Sequence, residues 1–129
     1  MPGYETLHFD PPAPVAQVML RNPNNGTTVS EVPLLLDTGA DVTLLPRATV
    51  ERLGAAILAN QHYELMGFDG SRSFAPVVMI DLIFLNRAFR GRYLLIEEER
   101  GILGRDILNH VTLLLDGPRQ QWSEHVLQI

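Results

Sequence analysis

The stretch Leu34-Leu35-Leu36-Asp37-Thr38-Gly39-Ala40 decides how the rest of the chain reads. Three consecutive leucines make a short continuous apolar run, the mark of a strand buried on both faces. The run stops at Asp37, so a rigid strand delivers a carboxylate to a place where it can meet water. Gly39 has no Cβ, which lets the chain turn and brings backbone N–H groups toward that carboxylate. Few chemistries need an acid presented this way. Hydrolysis by paired Asp side chains, one acting as base and the other as acid, is the foremost of them.

Two further segments fall in order behind it. Asp37-Thr38-Gly39-Ala40-Asp41 runs into Val42-Thr43-Leu44-Leu45, and Gly101-Ile102-Leu103-Gly104-Arg105-Asp106-Ile107-Leu108 follows later in the chain. Between them lies a glycine-framed turn, Met66-Gly67-Phe68-Asp69-Gly70-Ser71. Together these resemble the retroviral-type, or retropepsin-like, aspartic proteases. That family carries an Asp-Thr-Gly-Ala-Asp-x-Thr pattern, a flap, and a second signature of two apolar residues before Gly-Arg-Asn/Asp. The resemblance spans roughly 30–116 and implies an all-β chain, a small closed, barrel-like acid-protease fold with one or two short helices and a β-hairpin flap.

The resemblance also assigns roles. Asp37, Thr38 and Gly39 match the catalytic loop, with the Thr38 hydroxyl reaching across to a second chain. Ala40 leaves room beside the scissile bond. Asp41 and Arg105 match a pair that forms a structural ion pair under the substrate's main chain. Val42, Leu44 and Ile102 fall where side-chain pockets are lined, which implies apolar residues flanking the cut. Gly67, Phe68, Asp69 and Gly70 match the flap tip, although a charged Asp69 departs from the apolar or glycine-rich tips of viral members. Gly104, Arg105 and Asp106 support the catalytic loop from behind. In retroviral members both chain termini build much of the dimer interface, and neither terminus here follows a family motif. Residues 1–14, with prolines at 2, 11, 12 and 14, read as an N-terminal extension, flexible or laid into the cleft as a pro-segment. Residues 15–129 read as a single domain.

Elementary chemistry adds a constraint. A water must be activated by a base while a carbonyl is polarised by an acid. Two carboxylates a few ångströms apart share one proton, because both cannot easily ionise, and so fill both roles at one pH. This chain carries one Asp-Thr-Gly. The expectation is a homodimer in which each chain gives Asp37 to a site on a two-fold axis, acting on a peptide or protein substrate. Leu113-Leu114-Leu115-Asp116 weakly echoes the first motif, but Asp116-Gly117-Pro118 reads more simply as a turn.

Composition narrows the alternatives. The chain has 129 residues, enough for one domain with a core. Apolar residues make up 46% and charged ones 19%, a globular balance. Net charge is −5 without a basic cluster, which argues against nucleic acid. Every basic residue is Arg, a bias with no functional reading here. Cysteine is absent, and His8, His62, His110 and His125 show no metal-ligand spacing, so neither metal nor cofactor is expected. No signal peptide is legible at Met1–Glu5, and no apolar run nears the ~18 residues that span a bilayer, so the expectation is a cytoplasmic protein off the membrane.

Frequent prolines, glycines and short apolar runs predict strands. These are Val15–Leu20, a turn at Asn24-Asn25-Gly26, Val29–Leu36, a buried run Val42–Leu45, and a helix over Pro46–Gly54. Tyr63–Met66 and Phe74–Leu85 form arms about a turn at 67–73. Arg87–Arg92 reads as a polar turn region and Tyr93–Ile96 as a strand. A helical turn at Asp106–His110 precedes strands Val111–Leu115 and Gln121–Ile129. Trp122 suits either the core or a partner chain. The strand before Asp37 is expected to pair with the one before Gly104. Against the endopeptidase reading stand a retropepsin-like dimerisation or peptide-binding module with little cleavage, and a protease that mainly processes its own precursor.

Overall fold

The computed structural model describes residues 2–66, 70 and 72–126, and for 59–66 and 72–74 their backbone course alone. In chain order the elements are β1 (Tyr4–Glu5), β2 (Ala13–Arg21), β3 (Thr28–Leu36), β4 (Leu44–Pro46), α1 (Arg47–Glu51) and β5 (Ile57–Met66). They continue with β6 (Arg72–Phe84), β7 (Arg87–Ile96), β8 (Gly101–Leu103), α2 (Arg105–Leu108), β9 (Leu113–Asp116) and β10 (Gln121–Glu124). The main sheet runs β1-β2-β3-β8-β4-β7-β6-β5, and a further β2–β6 pairing closes six of its strands into a ring. This is the barrel-like all-β fold with two short helices that the motifs imply.

The ring encloses the core. Leu20, Leu34, Leu45, Leu82 and Leu103 are buried to 0% exposure, and Val50 of α1 and Ile107 of α2 plug the ends of the same cluster. Trp122 belongs to the core. Its indole Nε1–H donates to Val15 O at 3.2 Å and its ring tilts against Phe84.

Local chemistry explains the elements. The turn joining β2 to β3 carries Gly26 at φ 77°, where the Asn-Asn-Gly signal places it. Opposite Met19 the β3 strand bulges, with Glu31 at φ 57°. Pro46 caps α1, suited to a position whose N–H the helix does not need, and Gly54 at φ 66° ends the turn that follows. The segment Arg87–Arg92, expected as a polar turn, is instead the first half of β7. The chain reverses in only Leu85 and Asn86, both with positive φ (54° and 60°), the signature of a tight primed hairpin turn. Phe84 then pairs Arg87, and the arginines at 87, 90 and 92 are all exposed, Arg90 and Arg92 on one face and Arg87 on the other, along a strand whose far end is buried. Likewise β5 begins at Ile57, six residues before the expected Tyr63. The last strand is Gln121–Glu124, and residues 127–129 of the expected Gln121–Ile129 lie outside those described.

The seam of the ring is locked by charge. Asp81 on β6 pairs in register with Arg21 of β2 on one side and Arg90 of β7 on the other. Its carboxylate is buried and accepts from Arg90 Nε at 2.7 Å and Arg21 Nη2 at 3.0 Å. The Arg90 hydrogen bond, then that of Arg21, hold Asp81 below the ordinary carboxylate range against the opposing effect of burial. A folded-state value below the unfolded one means stability present above the unfolded pKa and lost as pH falls through the folded one. Asp81→Asn should therefore cost about 2 kcal/mol at neutral pH in a denaturant titration. The gap from wild type should narrow below about pH 4, the unfolded Asp value.

The N-terminal residues pack on the barrel. Tyr4 and Glu5 pair Pro14 and Ala13, and Tyr4 rests against the core. Glu5, His8 and Arg100 meet in one cluster, with Arg100 Nε 3.2 Å from Glu5 Oε1. No helix among the described residues is long and apolar enough to cross a membrane.

Candidate active site

Strand β3 lies between β2 and β8, in parallel register with β8 from Leu34↔Gly101 to Leu36↔Leu103. The expected pairing of the two motif strands is thus present. Asp37 follows at the end of β3, and its N–H donates to Leu103 O at 3.1 Å, which fixes the last peptide before the turn. The chain then tightens. Ala40 N–H donates to Asp37 O at 3.2 Å, and Gly39 N–H donates to Asp37 Oδ1 at 2.9 Å. A Cβ on Gly39 would stand 3.1 Å from that oxygen, so glycine lets the amide approach its carboxylate. Asp37 is half-buried, while Thr38 and Gly39 are exposed. The carboxylate thus has a fixed orientation and one face open to solvent.

The second motif braces this loop from behind. Arg105 N–H donates to Ala40 O at 2.9 Å, and the Arg105 guanidinium donates to Thr38 O at 2.7 Å. Gly104 passes so close to Val42 that a Cβ there would lie 2.5 Å from Val42 O. Thr43, at 0% exposure, is the knot. Its hydroxyl accepts from Gly104 N–H at 3.1 Å and donates to Asp106 Oδ1 at 2.6 Å. Asp106 Oδ2 accepts the Thr43 N–H at 3.1 Å. Reasoning from the sequence did not single out Thr43, although it occupies the Thr of the Asp-x-Thr pattern. Thr43→Val keeps the shape but strands Gly104 N–H and one Asp106 oxygen. It should lower unfolding free energy by about 1–3 kcal/mol, and Thr43→Ser should recover most of the loss.

One expected pair is not formed. Asp41 is exposed and among the described residues makes no ion pair, because Arg105 is engaged with the Thr38 carbonyl. Val42 and Leu44 pack with Ala75, Val77, Leu94 and Leu58 in a small second cluster beneath the β5 and β6 arms. Ile102 instead lines an open cavity of about 600 Å³ with Leu35, Ala75, Leu95 and Phe9. Leu35 lies two residues before Asp37 on β3, so the cavity opens on the strand face that carries the carboxylate. His8 and Phe9 reach it from the N-terminal segment, for which a place in the cleft is one of the two expectations. Of the expected flap tip, Gly67, Phe68 and Asp69 lie outside the described residues, and Gly70 is exposed with φ 81°. A second hollow, lined by Leu36, Thr38, Leu108, Val111, Leu113 and Leu115, flanks the loop on the side of Thr38. Among the described residues no group of three or more His, Asp or Glu side chains is placed to hold a metal ion.

A search of curated proteins finds no match to this chain. Among solved structures it is similar to the EIAV protease in complex with the inhibitor HBY-793, at 27% identity and a TM-score of 0.57. That match covers 82% of this chain and 91% of the EIAV chain. A family profile described as aspartyl protease matches residues 17–107, which holds both motif strands, the Asp37 loop and the Gly104–Asp106 brace. The chain belongs to the aspartyl protease family, and its likeness to the EIAV enzyme makes it a retropepsin-like member.

Proposed function

We propose that the chain is an aspartic endopeptidase whose Asp dyad forms from Asp37 of two identical chains, with water as nucleophile. The observation that carries this reading is the single half-buried Asp37, oriented by the Gly39 amide and open on one side. One carboxylate cannot be base and acid together, so the second comes from another copy. Thr38 supports the same reading. Among the described residues its hydroxyl has no partner in its own chain, and it stands exposed beside the catalytic carboxylate. The likeness to the EIAV protease, solved with the inhibitor HBY-793, supports a proteolytic reading of this site. The cavity lined by Leu35, Ala75, Leu95 and Ile102 favours an apolar side chain next to the cut. Gly67, Phe68, Asp69 and Gly70 serve as the flap tip that covers the peptide and excludes water. Asp41 is free to meet the substrate's main chain, while Gly104, Arg105 and Asp106 hold the loop.

The test is cleavage of a diverse peptide library between about pH 3 and about pH 8, a range that spans one-proton sharing by a carboxylate pair. At low enzyme concentration the rate should rise with nearly the square of protein concentration, then become linear as dimers saturate. Cleavage strictly proportional to enzyme down to the lowest active concentration would rule out a dyad assembled from two chains. Absence of cleavage throughout would favour a peptide-binding module.

A further inference from the structure

The N-terminal loop turns one side chain back on the barrel. Pairing of Glu5 with Ala13 closes the base of a loop over residues 6–12. Within it Thr6, Leu7, His8, Asp10 and Pro11 are exposed, Leu7 to 83%, whereas Phe9 is half-buried. An apolar ring on an otherwise wet loop gains by resting on apolar surface. Phe9 finds that surface at the cavity walled by Leu35, Ala75, Leu95 and Ile102.

The loop is held there by charge. Arg100 immediately precedes β8, the strand that carries Ile102, and its guanidinium reaches the N-terminal segment at two points. Its Nε donates to Glu5 Oε1 at 3.2 Å, and its Nη2 donates to His8 Nδ1. The Arg100 and Glu5 side chains are each 25% exposed, so loss of one member leaves the other poorly solvated. The run 100–102 thus supplies part of the cavity wall and also the latch for the segment that completes it.

With Phe9 in place about 600 Å³ of the cavity stays open, a volume typical of ligand pockets. A segment laid into the cleft as a plug would fill that space, whereas this one borders it. We infer that the N-terminal loop is a built part of the substrate pocket. Phe9 is a specificity-determining wall that favours a large apolar or aromatic side chain of the bound peptide, and Arg100, acting through Glu5 and His8, is the positioning residue that holds it. The inference rests on the endopeptidase reading in taking a peptide as the ligand. It sets aside both expectations for the first residues, since the loop is neither a loose tail nor a pro-segment. The aliphatic floor supplies burial for the incoming side chain, and the Phe9 ring adds a partner for an aromatic one.

The test is peptide binding in the Asp37→Asn background, so that no probe is consumed. The probes are two acetylated, amidated alanine peptides, one with a central phenylalanine and one without. Dissociation constants are read from the methyl shifts of Leu95 and Ile102, which place the contact in this cavity. The phenylalanine peptide should bind the tighter, and Phe9→Ala should cut its advantage by about 3- to 10-fold, the worth of an aromatic pair. Arg100→Gln should cut it equally, and the two substitutions together no further, because one residue acts through the other. Phe9→Leu keeps an apolar wall and should retain part of the advantage, which separates loss of the wall from a disturbed fold. An advantage unchanged in Phe9→Ala, tighter binding of both peptides by that variant (the mark of a plug), losses that add in the double variant, or methyls that move with neither peptide would each overturn the inference. The expected selectivity in binding, with no peptide cut by the wild type, would sink the endopeptidase reading alone. Asp37-dependent cleavage whose preference for phenylalanine ignores Phe9→Ala would sink the wall alone.

Discussion

Asp37→Asn should lower kcat/KM by about 10⁴-fold, the upper range for loss of general acid–base catalysis, while leaving the fold intact. Asn is isosteric with Asp and can still accept the Gly39 N–H that fixes the loop at 2.9 Å, so thermal unfolding should shift little. What disappears is the proton-sharing pair, since neither chain of the mutant homodimer can ionise at that position. The sharper form of the experiment is mixing. If two copies build one site, equal amounts of wild type and Asp37→Asn, allowed to exchange, leave about one quarter of dimers with both carboxylates. Activity should fall to roughly a quarter of that of the same total wild-type protein, and to about a half if each chain worked alone. A value near one half would mean that Asp37 acts within a single chain, against the geometry of an isolated carboxylate with an open face.

The parts of this site that were legible in the sequence are those where one residue type has one physical use. Leu34–Leu36 reads as a strand, of which Leu34 is fully buried and Leu35 and Leu36 half-buried, and a glycine two residues past a strand-end Asp has an evident purpose. The strand at Gly101–Leu103 pairs with it because both are short apolar runs ending in glycine-containing turns. What was not legible depends on tertiary context. Arg87–Arg92 looks like a solvated turn, yet it is a strand held by β6, with Arg90 and Arg92 on its outer face and Arg87 over the Phe89 ring on the other, and the true turn hides in Leu85, a residue seldom found at positive φ. Trp122 sits in the core only because the N-terminal strand and the hairpin fold over it. Asp81 reads as an isolated acid until three strands bring Arg21 and Arg90 to its two oxygens. The Asp41–Arg105 pair was a reasonable expectation from the motifs. The guanidinium instead meets the nearer Thr38 carbonyl, a choice set by loop geometry that spacing does not encode.

The largest expected effect on stability comes from the smallest change, Gly101→Ala. Gly101 is buried in β8 between β3 and β4. A Cβ there would collide with Leu44 O, a backbone atom of a neighbouring strand, and would meet Leu34 Cδ2 at 2.6 Å and Pro46 Cδ at 3.1 Å. A leucine tip can rotate away, but a strand carbonyl cannot move without opening the β4–β8 contact. The requirement is one of space rather than backbone freedom. The cost should exceed about 4 kcal/mol, the scale at which a single substitution is exceptional. Domains of this size have only about 5–15 kcal/mol in total, so most of the stability should be gone. Gly117→Ala is the control. Its Cβ would meet nothing within 4 Å, and its melting temperature should stay within error of wild type. Gly104→Ala falls between the two in stability but not in activity. Its Cβ presses on the Val42 carbonyl at 2.5 Å and on Ala40 O at 3.0 Å. Ala40 O accepts the Arg105 N–H that braces the Asp37 loop, so relief of the clash must displace the loop itself. Even the folded fraction of Gly104→Ala should therefore lose on the order of 10²-fold in kcat/KM, the penalty for a catalytic group misplaced by about an ångström. A variant with a lowered melting temperature but wild-type kcat/KM per folded molecule would show that the Gly104 brace serves the fold alone.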